Sequence, residues 1–370
     1  MAKIFVFITI ILFSNAVIGQ ETVSSGRLDI LREVPEDGFL RAITVRPFVF
    51  PADHGPHPGF RHEWWYATGN LDGPDGKQFG YELTFFRLAL TPETDKEHKK
   101  EGSLWKTPLA FAAHFAITNV EENDFQFFHR YSRGDGRLSG ANRNRVWLDD
   151  WFLKRIDTGW VLEAGEDDVS LKLNLIEEKP PILNGEQGLS RKSSTPGNAT
   201  YYYTMPRLTS GGSLRLGDET FSVNGLTWLD REWGTSALSA KQKGWDWYAL
   251  HLSDGSDLMF YHLRNIDGDR HPFSAGSWIN VEGKKTNLNA ENVEIEVLDY
   301  WESPLGGRYP SGWRIRYADK GIDITVTPMV KNQELDTLPR YWEGAVAITG
   351  SRNENPISGR GYVELTGYSE

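Results

Sequence analysis

Apolar and polar positions alternate along much of this chain, and the alternation has the two-residue period of a β-strand. Segments Phe79–Leu90, Ala110–Val120, Val161–Ala164, Val169–Leu175 and Ile322–Thr327 are short and rich in β-branched or aromatic residues, which predicts strands. Turn dipeptides punctuate them: Asp72-Gly73, Asp75-Gly76, Asp135-Gly136, Asn224-Gly225, Asp254-Gly255, Asp267-Gly268 and Glu282-Gly283. Helical spacing is scarce, and the one sizeable charged stretch, Glu93–Glu101, reads as a solvated loop.

The pattern also repeats. Trp65-Tyr66-Ala67 precedes Asp72-Gly73, and Trp247-Tyr248-Ala249 precedes Asp254-Gly255 at the same offset. In both places an aromatic strand follows and ends in an arginine, Arg87 or Arg264. Later, Trp160 leads by nine positions to the strand beginning at Val169, and Trp313 leads by nine to the one beginning at Ile322. Two matches in the same order predict a tandem duplication. Each unit holds roughly eight or more short strands, and a sheet of that size hides its edges by closing. The expected fold is therefore all-β, with two tandem antiparallel β-barrels; a pair of open sandwiches is the alternative. The boundary is placed near Leu226–Arg231, giving units 40–228 and 229–370.

Composition narrows the function. The chain has 370 residues and a formal charge of −11, with no basic stripe, so nucleic acid is not an expected partner. Its 14 Trp, 14 Tyr and 19 Phe suit a pocket for flat or greasy ligands. There is no cysteine, which excludes disulfides and thiolate chemistry. Lys3, the apolar run Ile4–Phe13 and the small or polar Ser14–Gly19 have the layout of a signal peptide cut after Gly19. A secreted or periplasmic protein is expected, without a permanent membrane span, because no later apolar run approaches spanning length.

Several constellations carry chemistry. His62-Glu63 opens like a zinc-protease helix, but Tyr66 stands where the second His is needed. His54, His57 and His62 have no standard ligand spacing, so no metal and no cofactor is expected. In Trp228-Leu229-Asp230-Arg231-Glu232-Trp233-Gly234, a strand turns Asp230 and Glu232 to one face and Arg231 and Trp233 to the other. Two carboxyls sharing a face among indoles raise one another's pKa, and a carboxyl kept protonated that way is a general acid. The alternative is a structural ion pair between Arg231 and a nearby acid. In Trp245-Asp246-Trp247-Tyr248, Asp246 faces away from both indoles, toward solvent or a barrel interior. His114 sits mid-strand, as a core residue or a cavity group. There is no Gly-x-Ser-x-Gly elbow and no phosphate-binding glycine motif.

A family resemblance rests on longer segments. These are Asp53 with Gly55-Pro56-His57, Glu63-Trp64-Trp65-Tyr66, Gly80-Tyr81-Glu82-Leu83-Thr84-Phe85-Phe86-Arg87 and Ala113-His114-Phe115. Further along they are Leu229-Asp230-Arg231-Glu232-Trp233-Gly234, Trp245-Asp246-Trp247, Gln333-Glu334-Leu335, Tyr341-Trp342-Glu343-Gly344-Ala345-Val346 and Gly361-Tyr362-Val363-Glu364-Leu365-Thr366-Gly367-Tyr368. Together they resemble the hydroxyneurosporene synthase (carotenoid hydratase)/AttH family over essentially the whole chain after the signal. The resemblance implies two lipocalin-like barrels, and activities that include hydration of a terminal carbon–carbon double bond in carotenoids. Many bacterial relatives carry only the label of predicted secreted hydrolase. The hydratases place a His after the junction Asp, where this chain has Arg231.

The expected function is acid-catalysed addition of water, or related lyase or hydrolase chemistry, on an unsaturated lipophilic small molecule. Asp230, Glu232 or Asp246 is the candidate acid, and His114 or His57 positions the water. Trp233, Trp245, Trp247 and Tyr248 offer ring faces, each stabilising a cation by roughly 0.5–2 kcal/mol. His57, Glu63, Trp65, Tyr81, Arg87 and Arg231 complete the expected ligand site. The alternative function is a non-catalytic carrier of a lipid or hydrophobic metabolite, working with an envelope transport partner. A carboxyl and a His converging inside the pocket favour the enzyme; solvent-facing carboxyls favour the carrier.

Overall fold

The structure, a computed structural model, describes residues 38–92, 107–337 and 339–369. The expected signal segment and the charged stretch Glu93–Glu101 lie outside the described residues.

Two large antiparallel sheets account for nearly all of the regular secondary structure among the described residues. The first is built from β1 (His62–Asp72), β2 (Gln78–Ala89), β3 (Leu109–Asn119), β4 (Asp124–Arg133), β5 (Ser139–Asn142), β6 (Arg145–Leu148), β7 (Trp151–Ile156), β8 (Gly159–Glu166), β9 (Val169–Glu177), β10 (Ile182–Leu183), β11 (Leu189–Arg191), β12 (Ala199–Leu216) and β13 (Glu219–Gly234). The second is built from β14 (Gln242–Leu252), β15 (Asp257–Asn265), β16 (Ala275–Ile279), β17 (Lys285–Asn289) and β18 (Glu294–Val297). A separate small ribbon of β19 (Tyr300–Glu302) and β20 (Arg308–Pro310) follows. Then β21 (Trp313–Tyr317), β22 (Ile322–Pro328), β23 (Glu334–Leu335), β24 (Tyr341–Arg352) and β25 (Asn355–Thr366) complete the second sheet.

Strand order gives the duplication its firmest form. The sheets run β4-β3-β2-β1-β13-β12-β9-β8-β7 and β17-β16-β15-β14-β25-β24-β22-β21-β18, the first continuing to β6 and β5. In each, the first strand pairs with the last, β1 with β13 and β14 with β25. Each sheet curls around its own core, one holding Trp151 and Trp160, the other Trp278 and Trp313. Alternation drives this: in β9, Val169, Leu171, Leu173 and Leu175 are buried while Lys172 and Asn174 are exposed.

The repeated Trp-Tyr-Ala does not mark equivalent places. Trp65 lies inside the first sheet, whereas Trp247 lies between the sheets. The hairpin after β1 turns at Asp75-Gly76 and the one after β14 at Gly255, with Gly76 at φ 79 and Gly255 at φ 81. Matching those turns leaves the two motifs an odd number of residues out of step, which turns every side chain to the other face.

The expected boundary falls inside a strand. Asn224-Gly225 is no chain reversal but lies within β13, and the first sheet runs on to Gly234. A Cβ on Gly225 would stand 2.0 Å from the Asn70 carbonyl oxygen, so the glycine serves a close strand approach. The first strand of the second sheet, β14, begins at Gln242.

The outward faces of the two sheets pack on each other. Asn70 Nδ2 donates to the Gly361 carbonyl at 2.9 Å, and Thr118 Oγ1 to Gln333 Oε1 at 2.7 Å. Arg360 grips Asp72 with both terminal nitrogens, at 2.7 and 2.6 Å. Burial along β13 records the covering: alternating at Phe221, Ser222, Val223 and Asn224, it becomes continuous from Thr227 to Gly234.

Candidate active site between the sheets

The two-residue period sends one set of side chains outward from the first sheet: Tyr66 on β1, Glu82 and Thr84 on β2, His114 on β3, Tyr202 and Thr204 on β12, and Asp230 and Glu232 on β13. They meet Trp247 of β14, Tyr341 and Glu343 of β24, and Tyr362 and Glu364 of β25. All but Glu364, which is half-buried, are closed off from solvent.

Asp230 is held by three donors. Tyr202 Oη donates to Oδ2 at 2.5 Å, Trp228 Nε1 to Oδ1 at 2.8 Å, and the Thr204 hydroxyl to Oδ1. Trp247 Nε1 in turn donates to Tyr202 Oη at 3.2 Å. Burial raises the acid's pKa and the donors pull it back, while the nearby Glu232 charge raises it; the balance is a value pushed up to about 7. Glu232 accepts from the Thr200 hydroxyl and pairs with Lys192 Nζ at 3.0 Å. That ammonium also stands 4.1 Å from the centre of the Tyr261 ring.

Glu82 and Glu343 are bound less completely. Neither oxygen of Glu82 makes a full hydrogen bond, the Thr84 hydroxyl being the one protein donor that acts on it. Glu343 accepts from Tyr66 Oη at 2.7 Å through Oε2, leaving Oε1 unpaired. Burial holds both carboxyls well above the usual range; at Glu82 the Thr84 hydroxyl pulls the other way and Glu364 adds repulsion, and at Glu343 repulsion from Glu364 and Glu82 outweighs the Tyr66 hydrogen bond. Burial likewise pushes Glu364 up to about 8, against a hydrogen bond with Trp245. His114 shares a 2.5 Å hydrogen bond between Nδ1 and Tyr341 Oη, and its Nε2 is unpaired. Burial lowers its pKa to about 3, leaving a neutral imidazole. Thr84 Oγ1 and Tyr362 Oη make no full hydrogen bond either. A buried polar atom without a partner costs about 1–3 kcal/mol, so this concentration marks the seam as the candidate site. Half-buried Trp64, Phe86 and Trp245 stand among these strands.

The remaining expected site residues lie inside the sheets. Glu63, fully buried, meets Arg87 Nε at 2.7 Å, Arg231 Nη2 at 3.2 Å and His57 Nδ1 at 3.1 Å. His57 reaches Asp53 at 3.1 Å through Nε2 and stacks on Trp233 at 3.7 Å. Arg231 also donates to the carbonyls of Trp64 at 2.6 Å and Gly55 at 2.8 Å, and lies 3.8 Å from the Trp65 ring centre. Burial alone would raise the pKa of Glu63, but Arg87, His57 and Arg231 hold its carboxyl well below the usual range. Tyr81 is in the same interior, its hydroxyl 2.5 Å from Thr227 Oγ1.

The structure therefore brings Asp230, Glu232 and His114 to one face and sets Trp245 and Trp247 of the second sheet on the same seam. It places His57, Glu63, Trp65, Tyr81, Arg87, Arg231 and Trp233 behind that face, in the first interior. Asp246 stands apart: it pairs with Arg264 at 2.9 Å and accepts from Tyr368 Oη at 3.0 Å inside the second sheet, where Tyr248 is also buried. The ion pair weighed for Arg231 forms with Glu63, across from Asp230 and Glu232. Glu82, Glu343, Glu364, Tyr66, Tyr202 and Lys192 escaped the reading of site residues. A signal was present for the three acids, since each is a lone Glu flanked by aromatic or apolar residues in a strand: Tyr81-Glu82-Leu83, Trp342-Glu343-Gly344 and Val363-Glu364-Leu365.

Known proteins share this architecture and parts of its sequence. The dehydratase asqC of Emericella nidulans is 24% identical over 360 residues, covering 87% of this chain and 99% of that protein. Kievitone hydratase of Fusarium solani subsp. phaseoli is 24% identical over 219 residues, 55% of this chain and 58% of its own length. The crystal structure of an AttH from Nitrosomonas europaea, 32% identical, matches 89% of this chain and 100% of its own with a TM-score of 0.79. That of kievitone hydratase from Nectria haematococca, at 17% identity, shares the fold over 90% of this chain and 97% of its own, with a TM-score of 0.68. The model of the AttH-like family matches residues 41–368, and the chain belongs to that family.

Proposed function

We propose that this chain is an enzyme that adds water to, or removes it from, a lipophilic small molecule, using carboxylic acids buried between its two sheets. The observation that carries the reading is the fully buried pair Glu82 and Glu343, whose carboxyls burial drives toward the neutral form and whose oxygens are left without a full set of hydrogen bonds. Asp230, raised by burial and drawn back by its three donors to about 7, supplies the second member of an acid–base set. For hydration, a neutral carboxyl such as Glu343 gives its proton to one alkene carbon, leaving a cation at the other. The rings of Trp64, Trp245 and Trp247 stabilise that cation. Water then adds, and the proton it sheds returns to the carboxyl cluster, so no proton is consumed. Dehydration runs the same path backwards, with the substrate hydroxyl protonated and leaving as water. The dehydratase and hydratase names of the relatives support this class of chemistry. The expected signal ending at Gly19 supports export, and sequencing the N-terminus of the mature protein checks for Gln20.

The test is native mass spectrometry with extraction of bound lipophiles, on protein from its own host. Wild type is compared with Glu343→Gln and Asp230→Asn. The variants are expected to accumulate a compound that differs by one water from the wild-type product, and to turn it over roughly 100-fold or more slowly. If all three forms carry the same unaltered compound, the protein is a carrier and the acids have no chemical role.

A further inference from the structure

A second polar site lies along the same seam, away from the acids. A cleft of about 370 Å³ is lined from the first sheet by Asn70 and Arg207, and from the second by His251, Ser253, Ser358 and Arg360. Its charge is unbalanced. The buried Asp257 is shared by two cations: Lys179 Nζ at 2.7 Å, and Arg207 at 2.6 Å through Nη2. Lys179 spends its remaining protons on the carbonyls of Gly255 at 2.7 Å and Asn280 at 2.8 Å. Arg207 uses Nε and Nη2 on Asp257 and on the carbonyls of Leu252 and Ser256. Arg207 lines the cleft, and its Nη1 makes no hydrogen bond to an acceptor among the described residues. Across from it, Arg360 and Asp72 neutralise each other. Burial pushes His251 down to about 4, so it adds no charge at neutral pH. One uncompensated positive charge therefore stands in the cleft of a chain whose net charge is −11.

Asn70 adds an independent demand. It is 3% exposed, and its Nδ2 is committed to the Gly361 carbonyl. Its Oδ1 is buried with no partner. An amide oxygen in that state asks for a donor, and a fully deprotonated anion has none. A ligand that satisfies both Arg207 and Asn70 carries an oxyanion and a hydroxyl together.

We infer that this cleft binds a hydroxylated oxyanion, either a phosphate group that keeps a P–OH or a hydroxy acid, with the oxyanion on Arg207 and the hydroxyl donating to Asn70. The bound group touches both sheets and braces one against the other. The inference is independent of the chemistry proposed for the acid cluster.

Phosphate and sulfate provide the discriminating pair, since they match in shape and near neutrality only phosphate carries a hydroxyl. Isothermal titration of the full chain at pH 6.5 and constant ionic strength is expected to show phosphate binding roughly three- to tenfold tighter than sulfate. Lactate is expected to exceed propionate in the same way, which separates the two sources of the shared chemistry: a preference confined to phosphate assigns a phosphate ligand, and one confined to lactate a hydroxy acid. Asn70→Ala should abolish the preference while leaving sulfate binding, and Arg207→Gln should weaken every anion by about tenfold or more. If phosphate binds no better than sulfate and lactate no better than propionate, the assignment is overturned, and that result stands on wild-type protein whether or not the variants fold.

Discussion

Buried acids stand back to back across one wall, on neighbouring strands of the first sheet, and burial acts on them with opposite results. Glu63 on β1 points inward and meets Arg87, Arg231 and His57. Glu82 on β2 and Asp230 on β13 point outward into the seam. Both groups are removed from water, so burial alone would protonate both. What separates them is the number of cations: Glu63 is answered by two guanidiniums, whereas Glu82 meets none and is repelled by Glu364. Burial sets the stakes, and the neighbours decide the charge.

The strongest way to break this contrast is to remove the inward anion. Glu63→Gln leaves Arg87 and Arg231 facing a neutral amide in the interior. The expected loss of stability is about 3–5 kcal/mol, read from the midpoint of urea unfolding at unchanged slope. An unfolding midpoint near that of the wild type would mean that the inward network is not the anchor described above.

Acidity tests the contrast next, because the two groups respond with opposite sign. Asp230 and Glu364 have folded values near 7 and 8, above their ordinary ones. The folded chain therefore keeps protons that the unfolded chain releases, and their contribution, full below about pH 4, is lost as pH rises toward 8. Asp53 and Glu63 are held below their ordinary values. Their contribution is present above the ordinary carboxylate range and is lost progressively as pH falls below it, toward their lower folded values. Stability should peak in mildly acidic solution. Glu343→Gln, which resembles the protonated acid, should change stability at pH 6 by no more than about 1 kcal/mol while making the alkaline decline shallower. A steeper decline in that variant would show that Glu343 is ionised in the native state.

The finest adjustment concerns Asp230 alone. Thr204→Val removes one of its three donors with little change of shape. The limb of the pH–rate profile that Asp230 sets should move to higher pH by about one unit or less; movement to lower pH would show that Asp230 does not set it.

Much of the fold could be read from local pattern. Alternation in Val169–Leu175 named the inward residues of β9, and the offset from Trp160 to Val169 was matched from Trp313 to Ile322 in equivalent strands. The pattern also put Asp230 and Glu232 on one face and Arg231 on the other, as found. It was silent on what that face meets. A Glu at an outward position of a strand normally faces water, so Glu82, Glu343 and Glu364 read as solvated until the second sheet is laid over the first. The Trp-Tyr-Ala repeat misled in register for a related reason: hairpin geometry, and not the resemblance of three residues, decides which face a side chain takes.

The continuous burial of the last residues of β13 has a wider consequence. Neither half of the duplication owns the acid cluster. Standing alone, the first half would present Glu82 and Asp230 to water, where each would ionise in mild acid like any surface carboxylate; the second half would do the same with Glu343 and Glu364. The capacity to hold a proton at neutral pH is thus a property of the pair, created where two like surfaces meet and absent from each. Doubling the chain did more than double its size: it made a solvent of its own, in which an ordinary amino acid behaves as an uncommon one.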